Sequence, residues 1–194
     1  MAKVVWEWLT MAEEKEKIAW CMTGSGHFLK ESVDVLEKSA RKFKVLLFLS
    51  SASEEILKIY GLAGRVEKLG LKTIREKEQG KSFPAIGAMY GHDYKLAVVA
   101  PATANTVAKI RWGVSDSLVT GVVEQAQKNR IPVAIMPCDL KAEQETTLPD
   151  GTRAKIYPTE IDLENVAELR NGKRKYLQVV SGPDELAKRV LEGI

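Results

Sequence analysis

Leu96-Ala97-Val98-Val99-Ala100, followed directly by Pro101-Ala102-Thr103-Ala104-Asn105-Thr106, is the stretch on which the fold turns. A run of apolar residues without alternation is expected of a strand buried on both faces, as in a parallel sheet covered by helices. The small, hydroxyl-rich turn that follows leads into helical sequence on both sides of Gly113. Strand, small-residue turn and helix in that order make one half of a βαβ unit.

The same order recurs on either side. Upstream, Ile18-Ala19-Trp20-Cys21-Met22 runs through Thr23-Gly24-Ser25-Gly26 into a helix with Leu29, Val33, Leu36 and Ala40 at three-to-four spacing. Lys44 to Leu49 is a second strand, followed by Ser50-Ser51-Ala52-Ser53 and a helix carrying Ile56, Leu57 and Tyr60. Ser53 is the expected cap of that helix, without a box residue at its third position. Residues 71–75 read as a short third strand, 76–94 as less regular with a short helix after Pro84, and Ile131 to Met136 as a buried strand. Strands alternating with helices imply right-handed crossovers and a parallel sheet. The expected class is α/β, a three-layer doubly wound (Rossmann-like) parallel sheet of order 3-2-1-4-5 with a C-terminal extension. In that extension Thr146 to Tyr157 reads as a hairpin around Pro149-Asp150-Gly151, Asp162 to Arg170 as a helix and Tyr176 to Val180 as a strand, and Pro183 opens a final helix.

Composition narrows the function classes. The 194 residues, 45% hydrophobic and 28% charged, suit one soluble domain, and a net charge of +3 does not imply a nucleic-acid partner. Apolar runs such as Val45 to Leu49 are too short to cross a bilayer. Glu7 interrupts the first apolar stretch and no small-residue cleavage site follows, so no signal peptide is expected; two cysteines far apart support no disulfide framework, and a reducing, cytoplasmic location is expected. Cys21 and Cys138 cannot supply the four thiolates of an ordinary iron–sulfur cluster and form no zinc pattern, and no metal site is expected. Residues 1–10 fit the remainder poorly; either Met11 is the natural start, or the segment is an arm packed on the surface or on a neighbouring subunit.

In a doubly wound sheet, ligands bind beyond the carboxyl ends of the strands where the strand order reverses. Order 3-2-1-4-5 places Thr23–Gly26 and Pro101–Thr106 side by side at that point. Small residues admit backbone amides to a phosphate, hydroxyls add donors, and the helix N-terminus favours negative charge. Neither G-x-G-x-x-G nor G-x-x-x-x-G-K-[ST] is present, which disfavours a dinucleotide fingerprint and a P-loop.

Thr23-Gly24-Ser25 and the run Pro101 to Lys109, with Gly113, Asp116, Leu118 and Thr120 after it, resemble the FMN-binding flavoproteins related to phosphopantothenoylcysteine decarboxylase, over most of 18–140. The resemblance implies bound FMN near the interface of a homo-oligomer, a trimer or a multiple of trimers. It implies Gly24, Ser25 and Gly26 at the phosphate and ribityl chain, Ser50 and Ser53 assisting, and Thr103, Ala104, Asn105 and Thr106 at polar atoms of the flavin. The full set of candidate contacts is Thr23, Gly24, Ser25, Gly26, Ser50, Ser51, Ser53, Ala102, Thr103, Ala104, Asn105, Thr106, Cys138 and Asp139. Residues 18–140 are then the FMN-binding core of a single domain, with extensions at 1–17 and 141–194.

Two departures redirect the chemistry. Met89 to Tyr94 does not match the decarboxylases' histidine motif, and Met136-Pro137-Cys138-Asp139-Leu140-Lys141 stands where their P-x-M-N-x-x-M-W clamp belongs, so decarboxylation is not expected and no catalytic residue is assigned. The downstream Thr146–Gly151 and Glu160–Asn165 patterns resemble the archaeal branch of archaeoflavoproteins and dihydromethanopterin reductase (acceptor type). That resemblance implies electron relay through FMN with reduced ferredoxin as donor. The alternatives are reduction of dihydromethanopterin, or a nucleotide-binding regulatory or scaffold subunit that never turns flavin over.

Other residues carry two readings each. His27 is a phosphate or flavin contact, or a surface histidine at a helix start; His92 is a loop histidine or a proton donor. Trp20 and Trp112 are core residues or flavin-stacking rings, and Cys21 is a small buried apolar residue. Arg170 to Lys175 is a solvated basic turn or a docking point for an acidic electron-transfer partner.

Overall fold

Alternation of side chains along β1 (Lys17–Met22) divides the interior into two cores. Ile18, Trp20 and Met22 face one side, Ala19 and Cys21 the other, and all five are buried. In chain order there follow α1 (Leu29–Lys42), β2 (Lys44–Leu49), α2 (Ser51–Ile59), α3 (Ala63–Glu67) and β3 (Lys72–Arg75). Two 3-10 segments, Glu76–Glu78 and Pro84–Gly91, lead to β4 (Tyr94–Ala102), α4 (Ala104–Trp112), α5 (Leu118–Lys128) and β5 (Val133–Pro137). The hairpin β6 (Gln144–Thr147) and β7 (Arg153–Ile156) precedes α6 (Glu160–Asn171), β8 (Leu177–Val179) and α7 (Pro183–Leu191). This computed structural model describes residues 15–91, 93–172 and 174–193; the first ten residues, His92 and Lys173 lie outside them.

The main sheet has the order β3-β2-β1-β4-β5-β8, every pairing parallel. The expected 3-2-1-4-5 order holds, and the C-terminal strand extends it beside β5. Leu29, Val33 and Leu36 of α1 pack with Leu57, Val66, Leu186 and Val190 against Trp20, Leu47 and Val98. On the opposite face Val107, Ile110, Leu118, Val122 and Leu169 cover Cys21, Phe48, Val99 and Ile135. Fully burying each large side chain contributes about 1.5–3 kcal/mol, and both faces of the central strands are used. This is the three-layer arrangement expected from the alternation.

Three local expectations change. Ser50, not Ser53, caps α2: its backbone is extended (φ −67°, ψ 156°) and its hydroxyl accepts from the Ser53 amide at 3.1 Å. A cap must hold an extended conformation outside the helix, whereas Ser53 is already in the first turn. Pro101 and Ala102 belong to β4 rather than to the turn, because the Pro101 carbonyl still serves a partner across the sheet. Trp112 is not a core residue; it is 71% exposed at the end of α4, with the Arg111 guanidinium 4.8 Å from its ring. Trp20 is fully buried, as the core reading requires.

Candidate functional site

Because all six strands run in one direction, the turns after β1, β2, β4 and β5 meet at one edge, where β1 and β4 are neighbours. Thr23 joins two of them. Its hydroxyl donates to the Pro101 carbonyl at 2.7 Å and accepts from the Thr103 amide at 2.9 Å. Its own amide also donates to Pro101, at 3.3 Å. At 3% exposed, Thr23 is a fastener between loops rather than a group presented to solvent. The other turns are tied in by backbone: Ser50 N–H donates to the Met22 carbonyl (3.2 Å), and Cys138 N–H to that of Ala102 (2.9 Å).

The first loop needs its glycine for space. A Cβ on Gly24 would lie 2.5 Å from the Cβ of Ala52 in α2, well inside contact distance. A Cβ on Gly26 would overlap the Tyr60 hydroxyl. The backbone at Gly24 therefore runs flush against α2, and at Gly26 it lies under the Tyr60 ring. Ser25 is nearly buried; its amide donates to the Thr23 carbonyl (2.9 Å) and its hydroxyl to that of His27 (3.2 Å). The helix that follows, α1, starts from Phe28 in the left-handed region (φ 61°) with no side chain capping its amides.

At the second loop Thr103 caps α4, its hydroxyl accepting from the Thr106 amide at 3.3 Å and lying 3.0 Å from the Thr106 hydroxyl. Thr106 and Ala102 are buried, Thr103 and Ala104 are half-buried, and Asn105 is exposed. Gly113 closes α4 at φ 70°, a conformation that disfavours side chains. In the serine loop, Ser50 and Ser51 are half-buried, but Ser53 is fully buried and its hydroxyl is committed to the Ser50 carbonyl at 2.7 Å.

Cys138 and Asp139 complete the edge. The Cys138 thiol donates to the Asp139 carboxylate at 3.1 Å. Burial pushes the thiol up, the Asp139 charge adds to it, and its pKa reaches about 12, so it stays protonated near neutral pH. Burial also holds the Cys21 thiol protonated. Burial lowers the His27 imidazole below the ordinary histidine range, while Glu31 and Asp139 pull it the other way. His27 is half-buried, 3.9 Å from the Phe28 ring, and its Nε2 is shielded from solvent without a hydrogen-bond partner among the described residues. It is not the solvated histidine expected of a helix start. A cleft of about 360 Å3 opens beside it, walled by Gly26, Tyr60 and the hairpin residues Thr146 and Leu148.

One participant has no counterpart in the sequence reading. Glu76, the residue after β3, accepts from the Ser51 amide and from the Leu118 amide, each at 2.9 Å. Its only local signal is a carboxylate just past a strand's carboxyl end. Arg174, by contrast, is absorbed structurally: its guanidinium donates to the Ile110 carbonyl at 2.9 Å and also to that of Arg111, closing the end of α4.

No metal-holding cluster occurs among the described residues, and none of their helices is long and apolar enough to cross a membrane. The set fits a phosphorylated, partly planar ligand: glycine backbone flush with a helix, an uncapped helix N-terminus, hydroxyls, and an orphaned imidazole nitrogen.

Comparison with known proteins agrees with that fit. The family model described as "Flavoprotein" matches residues 9–190. A dihydromethanopterin reductase (acceptor) of Methanosarcina mazei is 40% identical over 69% of the chain, which spans 59% of that protein's length. An uncharacterised protein of Methanocaldococcus jannaschii is 35% identical over 92% of the chain and 96% of its own length. Among solved structures, Burkholderia xenovorans DmrB in complex with FMN, described as a cubic protein cage for redox transfer, superposes with a TM-score of 0.78. It is 34% identical, covering 94% of this chain and 96% of its own.

Proposed function

The chain belongs to the flavoprotein family, and on that premise we propose that it binds FMN across the Thr23–Gly26 and Pro101–Thr106 loops and relays electrons from a reduced donor to a second acceptor. The observation that carries this reading is the Thr23 fastener, which holds both loops together at the strand-order reversal before any ligand arrives. FMN supplies transfer of one or two electrons; the protein supplies binding, orientation and electrostatics.

In this assignment Gly24, Ser25 and Gly26, with the uncapped start of α1, take the phosphate and ribityl chain. Ser50, Ser51, Thr103, Ala104, Asn105 and Asp139 face the cofactor. Thr23, Ser53, Ala102, Thr106 and Cys138 support those groups from beneath, since each is buried. Residues 18–140 form the binding core, and 141–194 extend it. The donor is reduced ferredoxin, and the chain works as a homo-oligomer of trimeric units, a reading supported by the cage described for DmrB.

A second reading is favoured by a specific observation, the 40% identity to dihydromethanopterin reductase (acceptor). Here a dihydropterin is the acceptor served by the same flavin, so the two readings share one site. Purified native protein should be yellow, release FMN on denaturation and bleach under reduced ferredoxin without oxygen; a colourless protein that takes up no FMN overturns the proposal. Bleaching together with turnover of dihydromethanopterin selects the reductase. Bound FMN that ferredoxin does not reduce, with no turnover of the pterin, selects a scaffold role.

A further inference from the structure

Two helices on opposite faces of the sheet begin at one side chain. The Oε2 atom of Glu76 accepts from the amide of Ser51, the first residue of α2, and Oε1 from that of Leu118, the first residue of α5, both at 2.9 Å. First-turn amides have no partner inside their own helix. The caps Ser50 and Ser117 each serve the amide three positions on, Ser53 at 3.1 Å and Thr120 at 3.3 Å. The first amides are thus left for Glu76. Each helix N-terminus carries about half a positive charge, so one carboxylate meets roughly one full positive charge. Two oxygens between two helix starts reproduce what a bound phosphate or sulfate would do there.

The neighbouring helix starts differ. α1 begins after Gly24–Gly26 with no side-chain cap and no carboxylate on its first amides among the bonds formed by the described residues. α4 begins at Thr103, which is tied to Thr23 and Thr106. Of the helix starts at this edge, those of α2 and α5 are closed by an internal anion, whereas at α1 the Leu29 amide meets only the neutral Gly26 carbonyl (3.2 Å) and no anion among the described residues.

We infer that Glu76 is a positioning residue acting as a built-in anion: it locks the serine loop of α2 to the start of α5, keeps phosphate out of that site, and leaves the α1 start as the place for the FMN phosphate. The last clause rests on the FMN reading; the first two do not. Ala52, the neighbour of Ser51, is the residue against which Gly24 packs, so the lock on Ser51 also sets the wall of the phosphate loop.

The test is anion rescue in the FMN-loaded, full-length protein. Glu76→Ala should melt roughly 6–24 °C below wild type in sodium chloride, the scale for losing two charge-assisted hydrogen bonds in a chain of this size. Sodium sulfate at matched ionic strength should restore at least half of that deficit, beyond the general stabilisation by sulfate seen in wild type. Calorimetric titration with inorganic phosphate should find one site in loaded Glu76→Ala and none in loaded wild type. Glu76→Gln, which keeps one acceptor and fills the space, should be intermediate and gain no rescue; it serves where the alanine variant does not fold. A deficit that sulfate leaves untouched, or phosphate uptake by loaded wild type, overturns the inference. A wild type that binds no FMN defeats the FMN reading alone, because sulfate rescue of the apo variant is still measurable.

Discussion

Gly24→Ala is the sharpest perturbation of the proposed site. The added methyl would sit 2.5 Å from the Ala52 Cβ and 3.3 Å from the Ala52 carbonyl carbon. Carbon pairs rest near 3.5–4.0 Å, so about 1 Å or more of relative movement is required. Gly24 does not occupy the left-handed region, so the cost is steric and not conformational. Overpacking of this kind costs about 1–3 kcal/mol. In a chain of this length that lowers Tm by roughly 2–12 °C, and it pushes the start of α2 away from the loop. FMN affinity, read by quenching of flavin fluorescence, should fall with it. Removing the opposing methyl with Ala52→Gly should relieve the clash in the double variant. Recovery will be incomplete, because the Ala52 backbone remains close and glycine near a helix start carries its own cost of up to about 1 kcal/mol. The coupling between the two sites should lie at about 0.5–3 kcal/mol. If Gly24→Ala melts and binds like wild type, or if Ala52→Gly relieves nothing, the close approach is not what requires glycine.

Other perturbations test other links. Thr23→Val keeps shape but deprives the Thr103 amide of its acceptor; it should cost about 1–3 kcal/mol in urea unfolding, with Thr23→Ser recovering most of that. Equal losses in both variants would remove the hydroxyl from the argument. His27 has a lowered pKa through burial, so the unfolded chain takes up its proton at higher pH than the folded chain. Stability should fall as pH drops through the ordinary histidine range, near 6.5, and level off once the folded imidazole also protonates; His27→Gln should flatten that part of the wild-type slope. Unchanged slopes would deny burial of the imidazole. The Cys138 thiol, at a pKa of about 12, should resist maleimide at neutral pH until the protein is unfolded, as should Cys21; rapid native labelling at either position would contradict their burial.

What the sequence made legible was whatever depends on neighbours in the chain. Apolar runs fixed β1, β2, β4 and β5, and Asp150-Gly151 placed the turn between β6 and β7. The position of β8 could not be read, because a strand of three residues gains its place from contact with β5 and not from its own pattern. Ser50 and Ser53 are chemically alike, and the choice of cap depends on where β2 releases the chain. Glu76 escaped for a stronger reason: its partners lie 25 and 42 residues away. Trp112 misled because a tryptophan within an amphipathic helix suggests core, whereas Ile110 and Val107 already fill the inner face of α4.

The division between legible and hidden residues bears on function. The loops that would hold the cofactor are fastened by backbone groups and buried hydroxyls, so binding demands little reordering and loses little conformational entropy. The side chains around them that could move protons are held back. Cys138 is kept protonated by burial and by Asp139, and His27 is biased toward its neutral form by burial. An acid–base enzyme tunes such groups toward neutral pH so that they exchange protons readily. Here the thiol is displaced far above that range, and burial lowers the imidazole below its ordinary one. Fastened holding loops beside a thiol locked in its protonated form suit the proposed relay, in which electrons, rather than protons drawn from the protein, are the principal traffic. It follows that replacing His27 should change the proton-coupled step of dihydropterin reduction, if that is the acceptor, while leaving one-electron reduction by ferredoxin near its wild-type rate. Equal loss in both reactions would place His27 in cofactor binding instead.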